Sequence, residues 1–172
     1  HRAARLQGRR FRGKPVRTSS PQGRFADGAA ILNGQTITGI DALGKHLFYR
    51  FDEGDILHVH LGLFGKFRVR SLPAPEPSPN ARLVMETEND HLHLAGPTAC
   101  ELITPEEEDN LRARLGPDPI LDPADGADEL GRRLSRRSIS IGAALLDQKV
   151  VAGIGNVYRS ELLFLAGIHP LT

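Results

Sequence analysis

The sequence predicts an α+β protein of two domains. The first domain is expected to be β-sandwich-like with flanking helices, and the second all-helical. Residues 36–94 alternate apolar and polar side chains between turn signals, which is typical of half-buried strands. From residue 104 onward the apolar residues recur at helical spacing. Gly116-Pro117-Asp118-Pro119 ends the first of these helices and places the predicted boundary between residues 1–116 and residues 117–172.

The first domain is predicted to open with a short amphipathic helix, because Ala4, Leu6 and Phe11 lie among arginines. Pro15 and Pro21 prevent its continuation. Strands are predicted at residues 36–40, 45–51, 56–61 and 66–70, and a further hairpin at residues 83–94. Turns are predicted at Asp52-Glu53-Gly54, between Gly62 and Gly65, in the proline-rich residues 71–79, and at residues 88–90.

The second half is predicted to consist of helices. Thr104 is a suitable N-cap, Pro105 suits the first helical position, and acidic residues follow, so a helix is expected to run to about Leu115. Further helices are expected at residues 128–134, 142–150 and 156–166.

The composition is that of an ordinary globular protein, with 172 residues, 40% hydrophobic and 25% charged residues. No apolar run reaches the roughly 20 residues of a membrane helix, so no membrane association is expected. The single cysteine, Cys100, cannot form an intrachain disulfide or a thiolate zinc site, and it fits a cytoplasmic location. Net charge is only +1, but every charge between Arg2 and Arg24 is positive, as in a phosphate-facing surface or in an ordinary solvated one.

The turn around Gly153-Ile154-Gly155-Asn156 has the chemistry of an anion site. Glycines remove the Cβ atoms that would block close approach, and Asn156 is expected to cap the helix that follows. A helix start offers free N–H groups and the positive end of the dipole, which suits a DNA phosphate. For such a short motif by itself, a plain αα-hairpin with a glycine turn would be the commoner explanation.

The match extends far beyond these four residues. The segment from Leu145 to Leu162, continued to Gly167-Ile168-His169-Pro170, resembles the helix–two-turns–helix signature of the Fpg/Nei family (formamidopyrimidine-DNA glycosylase and endonuclease VIII). Gly44-Lys45-His46-Leu47-Phe48 and His60-Leu61-Gly62-Leu63-Phe64-Gly65 resemble two further family segments. The resemblance implies a bifunctional DNA glycosylase/AP lyase of base-excision repair, which removes oxidised bases and cleaves the strand by β-elimination. It further implies a monomer, associated with the nucleoid, that acts on double-stranded DNA with an oxidised base or abasic site.

Site residues follow from the resemblance by position. Lys45 corresponds to a catalytic lysine that contacts phosphate and assists strand cleavage, and His60, Gly155 and Asn156 correspond to phosphate-binding residues. Leu63 and Phe64 correspond to side chains that fill the void left by an everted nucleotide, where stacking offsets part of the flipping cost. The alternatives are a solvated strand lysine for Lys45 and a core-facing turn for Leu63-Phe64.

Two family features are not found in these residues. The family nucleophile is an amino-terminal proline followed by glutamate, and His1-Arg2-Ala3 resembles the first helix several residues further in. The carboxy-terminal zinc finger is also missing, so the helical domain is expected to be incomplete at that end. No cofactor is expected for the chemistry, and zinc is implied by the family only for that finger. We therefore expect these residues to bind DNA without excising a base.

The second loop points to a lesion class. The Fpg branch carries an Arg–Phe pair there, whereas the matching residues 94–101 contain neither side chain. With Leu63-Phe64 in the first loop, the sequence is closer to the Nei branch, which prefers oxidised pyrimidines.

Two other functions remain open on the sequence. A metalloenzyme is one, because His58 and His60, like His91 and His93, lie on one face of a strand and could converge if the strands were neighbours. A non-catalytic module that binds damaged DNA is the other.

Overall fold

The structure, a computed structural model, describes residues 1–121, 123 and 125–172, with only the backbone at residue 125. It forms two compact units, His1–Pro105 and Glu106–Thr172. The predicted boundary at 116/117 lies after the helix at residues 105–113, which the structure groups with the second unit. Among the described residues, no helix is long and apolar enough to cross a membrane.

The first unit consists of two four-stranded antiparallel sheets with helices against them, which confirms the predicted α+β class. One sheet has the order β1-β6-β7-β5 and the other β2-β3-β4-β8. The elements are α1 (Arg2–Phe11), β1 (Arg17–Ser19), α2 (Ala26–Leu32), β2 (Ile37–Leu43), β3 (His46–Phe51), β4 (Ile56–His60), β5 (Lys66–Ser71), β6 (Ala81–Glu86), β7 (Asp90–Ala95) and β8 (Ala99–Ile103).

The apolar core of this unit gathers side chains from both sheets and both helices. Its fully buried members include Phe11, Leu32, Tyr49, Leu57, Met85 and Leu94. Helix α1 directs Ala4, Gln7 and Phe11 inward, while Leu6, which the sequence pattern placed among the apolar positions of this helix, is half exposed. Gln7 is tolerated inside because the Tyr49 hydroxyl donates a hydrogen bond to its Oε1.

Three elements were missed by the sequence analysis, and each depends on tertiary contacts. Strand β1 has only three residues and exists through its pairing with β6. Helix α2 is seven residues long with Gly28 in its interior, so packing of Ala29 and Leu32 stabilises it rather than helix propensity. Strand β8 pairs along the whole of β4, with His58 opposite Glu101 and His60 opposite Ala99.

The second unit is helical: α3 (Pro105–Ala113), α4 (Asp125–Ser135), α5 (Ile141–Ala144) and α6 (Asn156–Ala166). Helix α3 was expected to reach about Leu115. Its last turn tightens instead, because Arg114 and Leu115 donate to carbonyls three residues back. A small core of Leu145, Val151, Ile154 and Leu163 packs with Leu130 and Ile141.

The predicted helix at residues 142–150 is wrong in length, since α5 ends at Ala144. Beyond this helix the backbone leaves the helical pattern and forms hydrogen bonds with residues 116–117, before α4. The Gly116 N–H donates to the Gln148 carbonyl at 2.8 Å, and the Ala152 N–H donates to the Pro117 carbonyl at 3.0 Å. The Asp147 carboxylate accepts from the Lys149 N–H at 2.9 Å, which stabilises a turn where a helix would continue.

Candidate nucleic-acid interface

An apolar loop tip projects from the first unit between β4 and β5. Leu63 and Phe64 are 87% and 83% exposed, so the alternative of a core-facing turn is wrong. Gly62 has a φ of +66°, and a Cβ at this position would lie 1.9 Å from the Thr98 Oγ1. The loop can therefore approach the β7–β8 turn only with glycine at 62. A Cβ at Gly96 in that turn would lie 3.3 Å from the Phe64 carbonyl oxygen, so the two loops are in close contact.

A basic pocket lies on the same unit, where β3 begins and β4 ends. It has a volume of about 280 Å³, and its lining includes His1, Gly44, Lys45, His46 and His60. Partial burial lowers the pKa of Lys45 below its ordinary value. Desolvation, and then repulsion from His58 and Lys45, lowers the pKa of His60. Lowered pKa values at several basic groups around one pocket indicate a positive local potential, which favours a bound anion.

His46 contributes to this pocket and was not singled out in the sequence. It lies directly opposite His60 in the β3–β4 hairpin, and the two ring centroids are 4.7 Å apart. A signal was available, because the turn at residues 52–54 fixes this register and places 46, 58 and 60 on one face. His58 is buried behind them, with its Nε2 2.8 Å from the His46 Nδ1 and its Nδ1 3.0 Å from the Glu101 Oε1.

The glycine turn before α6 forms a second candidate anion site, in the other unit. The helix begins at Asn156 and its N-cap is Gly155, so the predicted capping role of Asn156 is wrong by one residue. Asn156 is exposed at the first helical position, and the first turn of α6 contains no acidic residue. The positive end of the helix dipole and its free N–H groups are therefore available to an anion.

Gln148 holds this turn in place, a role that no separate signal in the sequence indicates. Its Nε2 donates to the Leu146 carbonyl at 3.0 Å and to the Ile154 carbonyl at 2.9 Å. Its Oε1 accepts from the Gly153 N–H at 3.0 Å. Three bonds from one side chain fix the path that leads into the start of α6.

Many of the clustered arginines are engaged in ion pairs. Arg10 lies 2.5 Å from Asp90, and Arg17 lies 3.1 Å from Glu86. The second basic group is similarly paired, with Arg132 and Arg133 on Glu129 and Arg137 on Asp147. These contacts reduce the share of the arginines that a phosphate-facing surface could use.

The metalloenzyme alternative depended on neighbouring histidine strands, and that condition is not met. Strand β4, with His58 and His60, and strand β7, with His91 and His93, belong to different sheets. Within the described part of the chain, no group of three or more histidine, cysteine and acidic residues is arranged to hold a metal ion. Cys100 is the single cysteine of the sequence, whereas structural zinc sites of the finger type use two or more.

Both units match domain families of known proteins. Residues 2–99 match the formamidopyrimidine-DNA glycosylase N-terminal domain, and residues 115–172 match the formamidopyrimidine-DNA glycosylase H2TH domain. Endonuclease 8 1 of Mycobacterium tuberculosis is 47% identical over 174 residues, which is 99% of this chain and 65% of that protein. Formamidopyrimidine-DNA glycosylase of Rhodospirillum rubrum is 42% identical over 147 residues, 81% of this chain and 52% of that protein.

Solved structures agree with this assignment. The Lactococcus lactis formamidopyrimidine-DNA glycosylase, noncovalently bound to DNA containing an AP site, superposes with a TM-score of 0.79 at 29% identity. The match covers 99% of this chain and 68% of that one. The resemblance seen in the sequence is thus confirmed, as is the assignment of the second unit to the helix–two-turns–helix type. The chain belongs to the Fpg/Nei family of DNA glycosylases.

Proposed function

We propose that the whole protein is a DNA glycosylase/AP lyase of base-excision repair. In this proposal it removes oxidised bases from double-stranded DNA, pyrimidines being favoured, and cleaves the strand by β-elimination without a cofactor. It acts as a monomer in the cytoplasm, associated with the nucleoid. The residues described above supply its phosphate contacts and its wedge, which is the Leu63-Phe64 pair that fills the void left by an everted nucleotide.

The observation that carries this proposal is the exposed Leu63-Phe64 tip next to the basic pocket. Leu63 is three residues from His60 along one loop, and His60 lines the pocket with Lys45. An exposed apolar pair beside cationic groups is unusual on a water-facing surface, and it suits DNA that is gripped by phosphate while a base is flipped out.

In this proposal, residues of both units contact phosphate. Lys45 and His60 contact phosphate from the first unit, while the N–H groups at Gly155 and Asn156 and the Asn156 side chain contact it from the second. The burial that lowers the pKa of Lys45 makes its ammonium a readier proton donor. This property suits the catalytic role proposed for Lys45 in strand cleavage.

Two observations support pyrimidines as the favoured lesions. Residues 94–101 contain no Arg–Phe pair, and the structure places residues 96–98 in a short turn between β7 and β8. The identity is higher to the endonuclease 8 of Mycobacterium tuberculosis than to the Rhodospirillum rubrum enzyme, 47% against 42%.

Strand cleavage by the whole protein tests the activity. We expect a duplex with thymine glycol to be cleaved faster than one with 8-oxoguanine. Lys45→Met should slow cleavage, whereas Lys66→Met, which also removes an exposed lysine of the first unit, should not. The reverse lesion order would contradict the pyrimidine preference. Tight binding to an abasic duplex without any cleavage would favour a non-catalytic module for damaged DNA.

A further inference from the structure

A line of hydrogen-bonded side chains leads from the protein surface to the Lys45 pocket. Glu101, whose side chain is 57% exposed, lies 3.0 Å from the Nδ1 of His58, whose side chain is 4% exposed. The Nε2 of His58 lies 2.8 Å from the Nδ1 of His46, and His46 lines the pocket. The planes of the His46 and His58 rings differ by 18° and their centroids are 5.1 Å apart, as expected for two rings joined edge to edge by this hydrogen bond. The Phe48 ring packs on His58, with centroids 5.4 Å apart.

The geometry restricts where the protons lie. A carboxylate only accepts hydrogen bonds, so the His58 Nδ1–H donates to Glu101. When both rings are neutral, the Nε2 of His58 is then an acceptor, and the His46 Nδ1–H must donate to it. The remaining nitrogen of His46, Nε2, carries no hydrogen in that state.

One added proton reverses the chemistry that His46 offers to the pocket. The proton adds to Nε2 of His46, and the Nδ1 proton can then shift to the Nε2 of His58. In both resulting states His46 has an Nε2–H donor, and the single positive charge lies on one of the two rings. The Glu101 carboxylate at the far end stabilises that charge.

We propose that the Glu101–His58–His46 relay makes the Lys45 pocket a proton-coupled phosphate site, in which His46 becomes a donor only as the phosphate binds. The proposal rests on the DNA-binding function proposed above and adds a binding residue, His46, and two positioning residues, His58 and Glu101.

The charges around His46 explain why the proton arrives with the ligand. Desolvation first, and then repulsion from His60, His58 and Lys45, lowers the pKa of His46 to about 4, so it is neutral near pH 7 without an anion. His1 also lines the pocket. A phosphate among these groups reverses the local potential, raises the pKa of His46 and draws in a proton. Affinity therefore rises as the pH falls, by up to about tenfold per pH unit for one proton.

The tautomer can be measured in the free 172-residue chain. Long-range ¹⁵N–¹H NMR of histidine side chains should show His46 protonated at Nδ1 and bare at Nε2 at neutral pH. Addition of an abasic-analogue duplex should protonate Nε2. A free protein with the hydrogen on Nε2 of His46, or an Nε2 that stays bare in the complex, would overturn the relay.

Proton uptake gives an independent measurement. Calorimetric titration with a duplex carrying a tetrahydrofuran abasic analogue, in buffers of different ionisation enthalpy, counts the protons bound at about pH 6.5, the reference pKa of histidine. The parent should take up more protons than His46→Gln, by a difference approaching one. Glu101→Gln should lower the uptake as well, and Glu53→Gln, a charge-matched change in the β3–β4 turn, should leave it unchanged.

The outcomes separate this relay from the proposed function. Equal proton uptake by the parent and His46→Gln, at normal duplex affinity, overturns the relay and leaves the proposed function standing. Equal parent affinity for abasic and undamaged duplex contradicts the proposed function, and the proton count on either duplex still decides the relay. Failure of the parent to bind any duplex overturns both.

Discussion

Replacing Phe64 by alanine should separate DNA recognition from folding. The ring is 83% exposed, so its removal deletes few internal contacts and should change the free energy of unfolding by no more than about 0.5 kcal/mol. If the ring stacks in the void left by an everted nucleotide, its loss costs on the order of 1–3 kcal/mol of binding. This corresponds to roughly five- to 150-fold weaker binding of an abasic duplex.

The assay compares two duplexes of one sequence, with and without a tetrahydrofuran abasic analogue, by fluorescence anisotropy at matched salt. Phe64→Ala should weaken the abasic complex much more than the undamaged one, and Leu63→Ala should do the same to a smaller extent. Phe164→Ala is the matched control, because this ring is 85% exposed and lies on α6. It should not alter the ratio of the two affinities.

Two results would refute the wedge. An equal loss of affinity for both duplexes would mean that the side chain contributes only general contact. A melting temperature lower by several degrees would mean that Phe64 contributes to folding, contrary to its exposure.

Four further predictions concern the other sites. Asn156→Ala should weaken duplex binding about tenfold or more, as the loss of a hydrogen bond to a charged phosphate would, without changing the salt dependence. Lys45→Met should reduce the slope of the logarithm of the binding constant against the logarithm of salt concentration by roughly 0.9, and equal slopes would exclude a phosphate contact by Lys45. Gln148→Ala removes three hydrogen bonds and should lower the free energy of unfolding by about 2–4 kcal/mol in urea titrations, whereas unchanged stability would mean that the turn holds itself. The pKa of His46 is lowered to about 4 in the folded protein, so the unfolded chain binds a proton at higher pH than the folded one. The free energy of unfolding should therefore fall as the pH decreases from about 6.5 towards 4. His46→Gln should flatten this part of the curve of stability against pH, and an identical curve would contradict the reasoning.

Helix α6 shows what local sequence can establish. It spans residues 156–166, as predicted, because Gly155 precedes it and Gly167, at a φ of +65°, ends it. The β3–β4 hairpin was equally predictable from the sequence, since Asp52-Glu53-Gly54 lies between two apolar runs. In both places the signal is contained within a few adjacent residues.

Strand β8 and the end of α5 show what local sequence leaves open. Residues 99–103 become a strand because β4 offers them an edge, and the chain turns out of the helix after residue 145, where the Gln148 carbonyl accepts from the Gly116 N–H. The Glu101–His58–His46 line depends on both pairings of β4, so only its His46–His60 part follows from the hairpin register. The roles of Lys45, His60, Gly155, Asn156, Leu63 and Phe64 in DNA binding stay predictions.

The contact between Gly62 and Thr98 links the Leu63-Phe64 tip to the β7–β8 turn. The Thr98 N–H donates to the His60 carbonyl at 2.9 Å, so the β7–β8 turn is bonded to the backbone that carries the tip. A longer loop in place of residues 96–98 would displace the Leu63-Phe64 tip, even with residues 61–65 unaltered. If lesion preference lies in these two loops, as proposed, its exchange between relatives requires both segments to be moved together.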